Sequence, residues 1–324
     1  IVVCEVNFST MYINTISHYL PSQIIGNEYF SQLNNLSDEW IVARTGISER
    51  RKAAPDENTS TMAIKAVENL LETIPYSKNE IDLIIGATYT PYDTIVTLAH
   101  AVQHQLQIPD IPVVSISSAC SSLLNAIEIV EGYFAMGKAT KALVVVSDHN
   151  TAYYDEGDTV SGHLWGDGAS ALLISKERQT DTDMEIKKLI TGGAATSGKA
   201  IEAVVLRPNH NGVFMPYGRD VFQNACIYMP KVSQQVLQAC NLTIDDLDYL
   251  IPHQANHRIS LNVINTLGIP AEKLISNIQY LGNTGCAGCA IALSENRSKF
   301  KKGENIVLTV FGGGYSYGAM LVTV

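Results

Sequence analysis

Nothing in this sequence is long and apolar enough to cross a bilayer: no apolar run approaches the ~20 residues that a membrane helix needs. Basic residues are in the minority, 22 Lys and Arg against 32 Asp and Glu, and they form no block. The formal net charge of −10 argues against nucleic acid as a direct ligand. Secretory features are missing too, since IVVCEVNFST at the start has neither a basic stretch nor a cleavage pattern. Residues 1–10 read as an extension ahead of a strand that begins at Met11. The six cysteines are too few for a disulfide framework in 324 residues, and they point to reduced thiols in a cytoplasmic protein. Charged residues make up only 17% and hydrophobic residues 46%, which excludes disorder and supplies a large core.

Apolar, β-branched runs alternate with helical patterns. The segments 81–90, 112–118, 141–148, 248–254 and 305–312 are expected to be buried strands, and strands of that kind between helices imply a sheet covered on both faces. Leu123, Leu124, Ile127, Val130 and Phe134 share one helical face. The layout of 60–91 returns in 229–257, that of 120–148 in 284–312, and that of 165–175 in 312–324. Three blocks repeated in the same order indicate a duplicated α/β unit with a site where the halves meet. The expected halves are 11–176 and 177–324.

Four stretches carry candidate chemistry. In SISSACSSLL a strand turns into a helix at Cys120. A thiol there is either a buried structural group or a nucleophile whose pKa the helix N-terminus lowers toward neutrality. The small residues around it leave room for a substrate. In IPHQANHRI, His253 ends an apolar run. His257 follows at metal-ligand spacing, but no Glu stands between them and no third ligand is evident. The duplication places His253 near Cys120, the minimum for thiol chemistry. In YLGNTGCAGCAIAL, Asn283 occupies the corner equivalent to that of Cys120 and offers an amide donor or a helix cap. Cys286 and Cys289 form an unaccompanied CxxC that reads as tightly packed small residues. In VFGGGYSYG, three glycines before a strand, with no Lys and no following helix, suit an oxyanion-binding turn better than a phosphate loop.

Together with SDEWIVARTGISERR (37–51), APDENTSTMA (54–63) and GDGA (166–169), the motifs around Cys120, PHQAN (252–256), GNT (282–284) and FGGG (311–314) resemble the class III 3-oxoacyl-acyl-carrier-protein synthases, in that family's order from Met11 to Val324. The resemblance implies a thiolase-like fold, two duplicated α/β halves in an α-β-α-β-α sandwich, and a homodimer. It implies a ping-pong decarboxylative Claisen condensation in fatty acid synthesis, needing no metal or redox cofactor. Cys120 would take the acyl group from acyl-coenzyme A or an acyl carrier protein, and His253 and Asn283 would hold the enolate oxygen of a malonyl-type thioester. The backbone N–H groups of Cys120 and Gly314 would bind the tetrahedral oxyanion. Trp40 and Arg44 would bind coenzyme A, with Phe222 along the pantetheine arm. Ile95 would reach the acyl pocket of the partner subunit, and Arg258 would meet the acidic carrier protein.

The sequence departs from that pattern at Thr159, where an Arg is frequent, at Arg219 in place of Asn, and at Ser121–Ser122 in place of Ala-Gly. Ile95 replaces a bulky aromatic and is expected to enlarge the acyl pocket. These changes leave open a specialised ketosynthase of the dialkylresorcinol-forming type acting on longer carrier-bound acyl groups. They also leave open a non-decarboxylating acyltransferase on the same fold. A hydroxymethylglutaryl-type synthase lacks a clear general-acid Glu here, and a non-catalytic binding protein has no need of Cys120, His253 and Asn283 together.

Overall fold

The computed structural model describes residues 10–207 and 212–324. The expected extension, 1–10, lies outside the described residues apart from Thr10. The apolar runs are strands: Leu83–Ala87, Val113–Ile116, Lys141–His149, Tyr249–Pro252 and Asn305–Phe311. They belong to one nine-stranded sheet. Its spatial order is Tyr249–Pro252, Asn305–Phe311, Ser316–Thr323, Met184–Gly193, Met11–Tyr19, Asp167–Ser175, Lys141–His149, Leu83–Ala87, Val113–Ile116. The two halves meet where Met11–Ile13 pair antiparallel with Met184–Ile186. Outward from that seam each half repeats the same sequence of neighbours, and the first half carries one extra strand, Val113–Ile116, at its edge.

Helices complete five layers. Thr59–Leu71 and Leu98–Leu106 cover the outer face of the first half, and Gly218–Gln238 and His257–Leu267 cover that of the second. Ser122–Ala135 and Gly288–Asn296 fill the middle, so the largest apolar cluster draws on both halves. Leu123, Leu124, Ile127, Val130 and Phe134 are all buried, as their spacing requires.

The sheet's two edges differ. Tyr249–Pro252 is closed on its outer side by the segment at Leu274–Ile275, whose Ile275 N–H donates to Leu250 O at 2.9 Å, and it ends in a proline. The outer side of Val113–Ile116 pairs with no strand among the described residues. Strands Leu83–Ala87, Val113–Ile116 and Lys141–His149 run parallel, as do Tyr249–Pro252 and Asn305–Phe311. Chains leaving the carboxyl ends of such strands build crevices. Cys120, His253 and Gly312 follow three of these ends.

Candidate active site

Cys120 stands on a braced turn between strand Val113–Ile116 and helix Ser122–Ala135. Ala119 before it has φ +48°, in the left-handed region that is costly for any residue with a Cβ. The neighbouring serines hold this bend. Ser118 N–H donates to Ser122 Oγ at 2.8 Å, Ser122 Oγ donates to Ala119 O at 2.6 Å, and Ser316 Oγ, from the other half, donates to Ser118 O at 2.9 Å. Gly312 packs directly on the cysteine: a Cβ there would lie 2.7 Å from that of Cys120.

Two backbone donors, the N–H groups of Gly313 and of Cys120 itself, face the sulfur and favour its thiolate, but burial and the carboxylate of Asp148 outweigh them. The thiol is pushed up to about 12, opposite to the lowering expected from its place before a helix. The reason is geometric, since the helix begins two residues later while burial desolvates the thiol, with Asp148 a second, smaller cause. The sequence-based choice of Gly314 as oxyanion donor is also corrected. Gly314 is exposed, at φ +67°, with open space where a side chain would be, whereas Gly313 lines the cavity beside Cys120.

Asn283 is held from several sides. Its N–H donates to Leu164 O at 2.8 Å, its carbonyl accepts from Gly166 N–H at 3.0 Å, and its Oδ1 accepts from Gly285 N–H at 3.0 Å. With Oδ1 occupied, the Nδ2 amide is left with no acceptor among the described residues. The crossing with Gly166 is so close that a Cβ there would sit 2.0 Å from Leu281 O. Backbone cannot yield as a side-chain tip can. Gly166→Ala is therefore expected to lower stability by about 3 kcal/mol or more and to displace Asn283, measured as the shift of the urea unfolding midpoint.

His253 is buried just past strand Tyr249–Pro252, with its N–H on Thr309 O at 2.7 Å. Desolvation lowers its pKa to about 4, so the ring is neutral at physiological pH. Its metal pairing with His257 fails on geometry, because the helix starts at His257 and the two histidines do not share a helical face. A depressed histidine pKa has a defined sign. The unfolded chain binds a proton below 6.5 that the folded chain refuses until about 4, so stability falls as pH drops through that window. Relative to His253→Gln, the wild type is expected to lose roughly 1.4 kcal/mol per pH unit between those limits, read from urea midpoints.

Tyr89 and Asn150, absent from the sequence reading, complete the site. Tyr89 lines a cavity of 220 Å³ with Cys120, Trp165 and Gly313, and its hydroxyl donates to Asn150 Oδ1 at 2.7 Å. Both follow first-half strands as polar residues without a motif, so no spacing signal marks them.

Comparison with known proteins gives the family. The family described as 3-oxoacyl-[acyl-carrier-protein] synthase III matches residues 114–193, and its C-terminal counterpart matches 237–324. The β-ketoacyl-[acyl-carrier-protein] synthase III of Clostridium perfringens SM101 is 35% identical over 313 residues, covering 94% of this chain and 96% of the relative. That of Aquifex aeolicus is 34% identical over 306 residues, with the same coverage. The chain belongs to the 3-oxoacyl-[acyl-carrier-protein] synthase III family. The crystal structure of the Aquifex aeolicus synthase superposes with a TM-score of 0.90 at 34% identity, over 97% of this chain and all of that one. The priming β-ketosynthase of the R1128 polyketide pathway superposes at 0.87 with 26% identity, over 97% of this chain and 96% of that one.

The binding residues that the family resemblance suggested divide into two groups. Four lie together. The Arg44 guanidinium covers the Trp40 ring at 4.1 Å, Arg258 lies 5.9 Å from the Phe222 ring, and Asn256 Nδ2 ties the two segments by donating to Arg44 O at 3.0 Å. Arg44 and Arg258 are exposed, and Trp40 and Phe222 are half-buried. Ile95 stands apart, 85% exposed, and is not among the residues lining the Cys120 cavity. Thr159 and Arg219 are exposed.

Proposed function

We propose that this synthase III family member joins an acyl group to a malonyl-type carrier-protein thioester with loss of carbon dioxide. Cys120 Sγ attacks the carbonyl of the donor thioester, the donor's thiolate leaves, and it takes up the proton from Cys120. The carboxylate of the malonyl group then departs as carbon dioxide. The enolate oxygen left behind receives hydrogen bonds from Asn283 Nδ2 and from neutral His253, which donates without being a strong acid. The carbanion attacks the acyl-Cys120 carbonyl, whose oxyanion is met by the N–H groups of Cys120 and Gly313. Collapse releases the 3-oxoacyl product, and the Cys120 sulfur regains a proton from solvent. None of these steps calls for a metal or redox cofactor.

The observation that carries the reading is the pair of backbone N–H donors beside the Cys120 sulfur, in a cavity lined by residues on both sides of the seam. Trp40, Arg44, Phe222 and Arg258 supply aromatic and cationic groups for a coenzyme A or carrier-protein donor. The exposed Ile95, Tyr92 and Val96 and the open strand Val113–Ile116 support a homodimer. Among the described residues Cys120, Cys226, Cys240, Cys286 and Cys289 are free, which suits a reducing cytoplasm. A cavity of 220 Å³ favours this reading over an enzyme for long acyl groups.

Intact-protein mass after incubation with acetyl-coenzyme A or acyl-carrier thioesters tests the first step. The expected result is one acyl adduct that Cys120→Ala abolishes. An adduct that persists in Cys120→Ala would remove Cys120 as the nucleophile.

A further inference from the structure

Resting on that reading, we infer that Tyr89, fixed by Asn150, sets the length of acyl chain that Cys120 accepts. The cavity beside Cys120 has walls of two kinds. Val205, Leu206 and Val213 come from a small two-stranded ribbon of three residues per strand, and Val204 immediately precedes it. Tyr89 is held at both ends. Its N–H donates to Asp148 Oδ1 at 3.1 Å and its hydroxyl to Asn150 Oδ1 at 2.7 Å. Asn150 is fully buried and cannot follow the ring, because its Nδ2 donates to Gly166 O at 2.8 Å and to Asn283 O at 3.2 Å. Swinging the phenol aside would leave the buried Asn150 oxygen unpaired.

The hydroxyl end also abuts the Asn283 turn: a Cβ on Gly285 would lie 2.6 Å from the Tyr89 oxygen. The ring thus spans the space between the cavity and the enolate-holding turn, and a growing chain meets it as a rigid barrier. Ile95, the residue expected to govern pocket size, lies outside this wall in its own subunit.

Volume gives the scale. The cavity holds 220 Å³, and a dry apolar cavity of about 150 Å³ takes a six-carbon benzene. The substrate class is therefore a straight acyl group of up to about eight carbons. Removing the Tyr89 ring adds a further ring-sized space.

The test is a ladder of acyl-coenzyme A thioesters from acetyl to palmitoyl. Acylation of Cys120 is timed by intact mass in the wild type, Tyr89→Phe and Tyr89→Ser. In the wild type, rates are expected to fall by at least tenfold beyond about eight carbons, a discrimination of the size one misfitting methylene gives. Tyr89→Ser moves that cut-off outward by about four carbons or more, and Tyr89→Phe, which keeps the ring but loses its tie to Asn150, moves it outward by less. A Tyr89→Ser enzyme that accepts short chains with the wild-type cut-off overturns the inference. Should Tyr89→Ser not fold by circular dichroism, the wild-type ladder decides, and equal acylation by butyryl and palmitoyl donors overturns it. No adduct of any length on the wild type would instead remove the ketosynthase reading, and the inference with it.

Discussion

Asn283→Ala is expected to keep Cys120 acylation within a few-fold of wild type while slowing decarboxylation of a malonyl thioester about 10²–10³-fold, the cost of one preplaced donor to a developing oxyanion. The separation follows from how the turn is held. Its backbone bonds to Leu164 and Gly166 do not involve the side chain, so the loop survives truncation. The side chain's other tie, Oδ1 to Gly285 N–H, accounts for about 1 kcal/mol of stability. Only the Nδ2 donor is lost from the chemistry. The check is paired: release of labelled carbon dioxide from malonyl-coenzyme A, and the intact mass of the acyl-enzyme. Loss of both steps together would show that Asn283 shapes the nucleophile's surroundings instead of holding the enolate.

The second large effect concerns the thiol. With its pKa pushed up to about 12, Cys120 carries almost no thiolate at neutral pH. Alkylation by iodoacetamide requires the thiolate, so its rate constant at Cys120 is expected to rise about tenfold per pH unit from 7 to 10 with no plateau. Peptide-resolved mass spectrometry separates it from the half-buried Cys226 and Cys240. Asp148 is the charged neighbour that raises the pKa, so Asp148→Asn is expected to speed alkylation at pH 8 by several-fold or more. A plateau near pH 7 in the wild type would show the helix terminus prevailing over burial. Under the expected outcome, the proton leaves sulfur only as the donor thioester is attacked, and resting enzyme is protected from stray oxidation.

The strands were readable because both faces of the sheet are covered, which turns each buried strand into a run of apolar residues. The repeat was readable too, and the structure shows it as the same order of neighbours on either side of the Met11–Ile13 seam. What escaped was register and environment. Gly313 and Gly314 are indistinguishable in a triplet, and only the course of the turn selects the one that faces sulfur. The thiol's protonation depends first on burial and then on Asp148, and tertiary folding sets both. Tyr89 lines the cavity and Asn150 holds it from behind, and a pair made by two separate strand ends leaves no periodic trace. Of the small residues expected to leave space for substrate, Ser117 and Ala119 line the cavity, while the hydroxyls of Ser121 and Ser122 brace the bend at Ala119.

The unequal edges of the sheet have a consequence for how copies of the chain can combine. Edge-to-edge pairing needs an unsatisfied row of backbone donors and acceptors. Tyr249–Pro252 offers none outward, closed as it is by Leu274–Ile275 and ended by a proline. Among the described residues Val113–Ile116 is the one row left on this sheet, and two copies that join through it consume both rows at once. Self-association by this route is isologous and stops at a pair, so the nine-stranded sheet does not extend into a fibre through this edge.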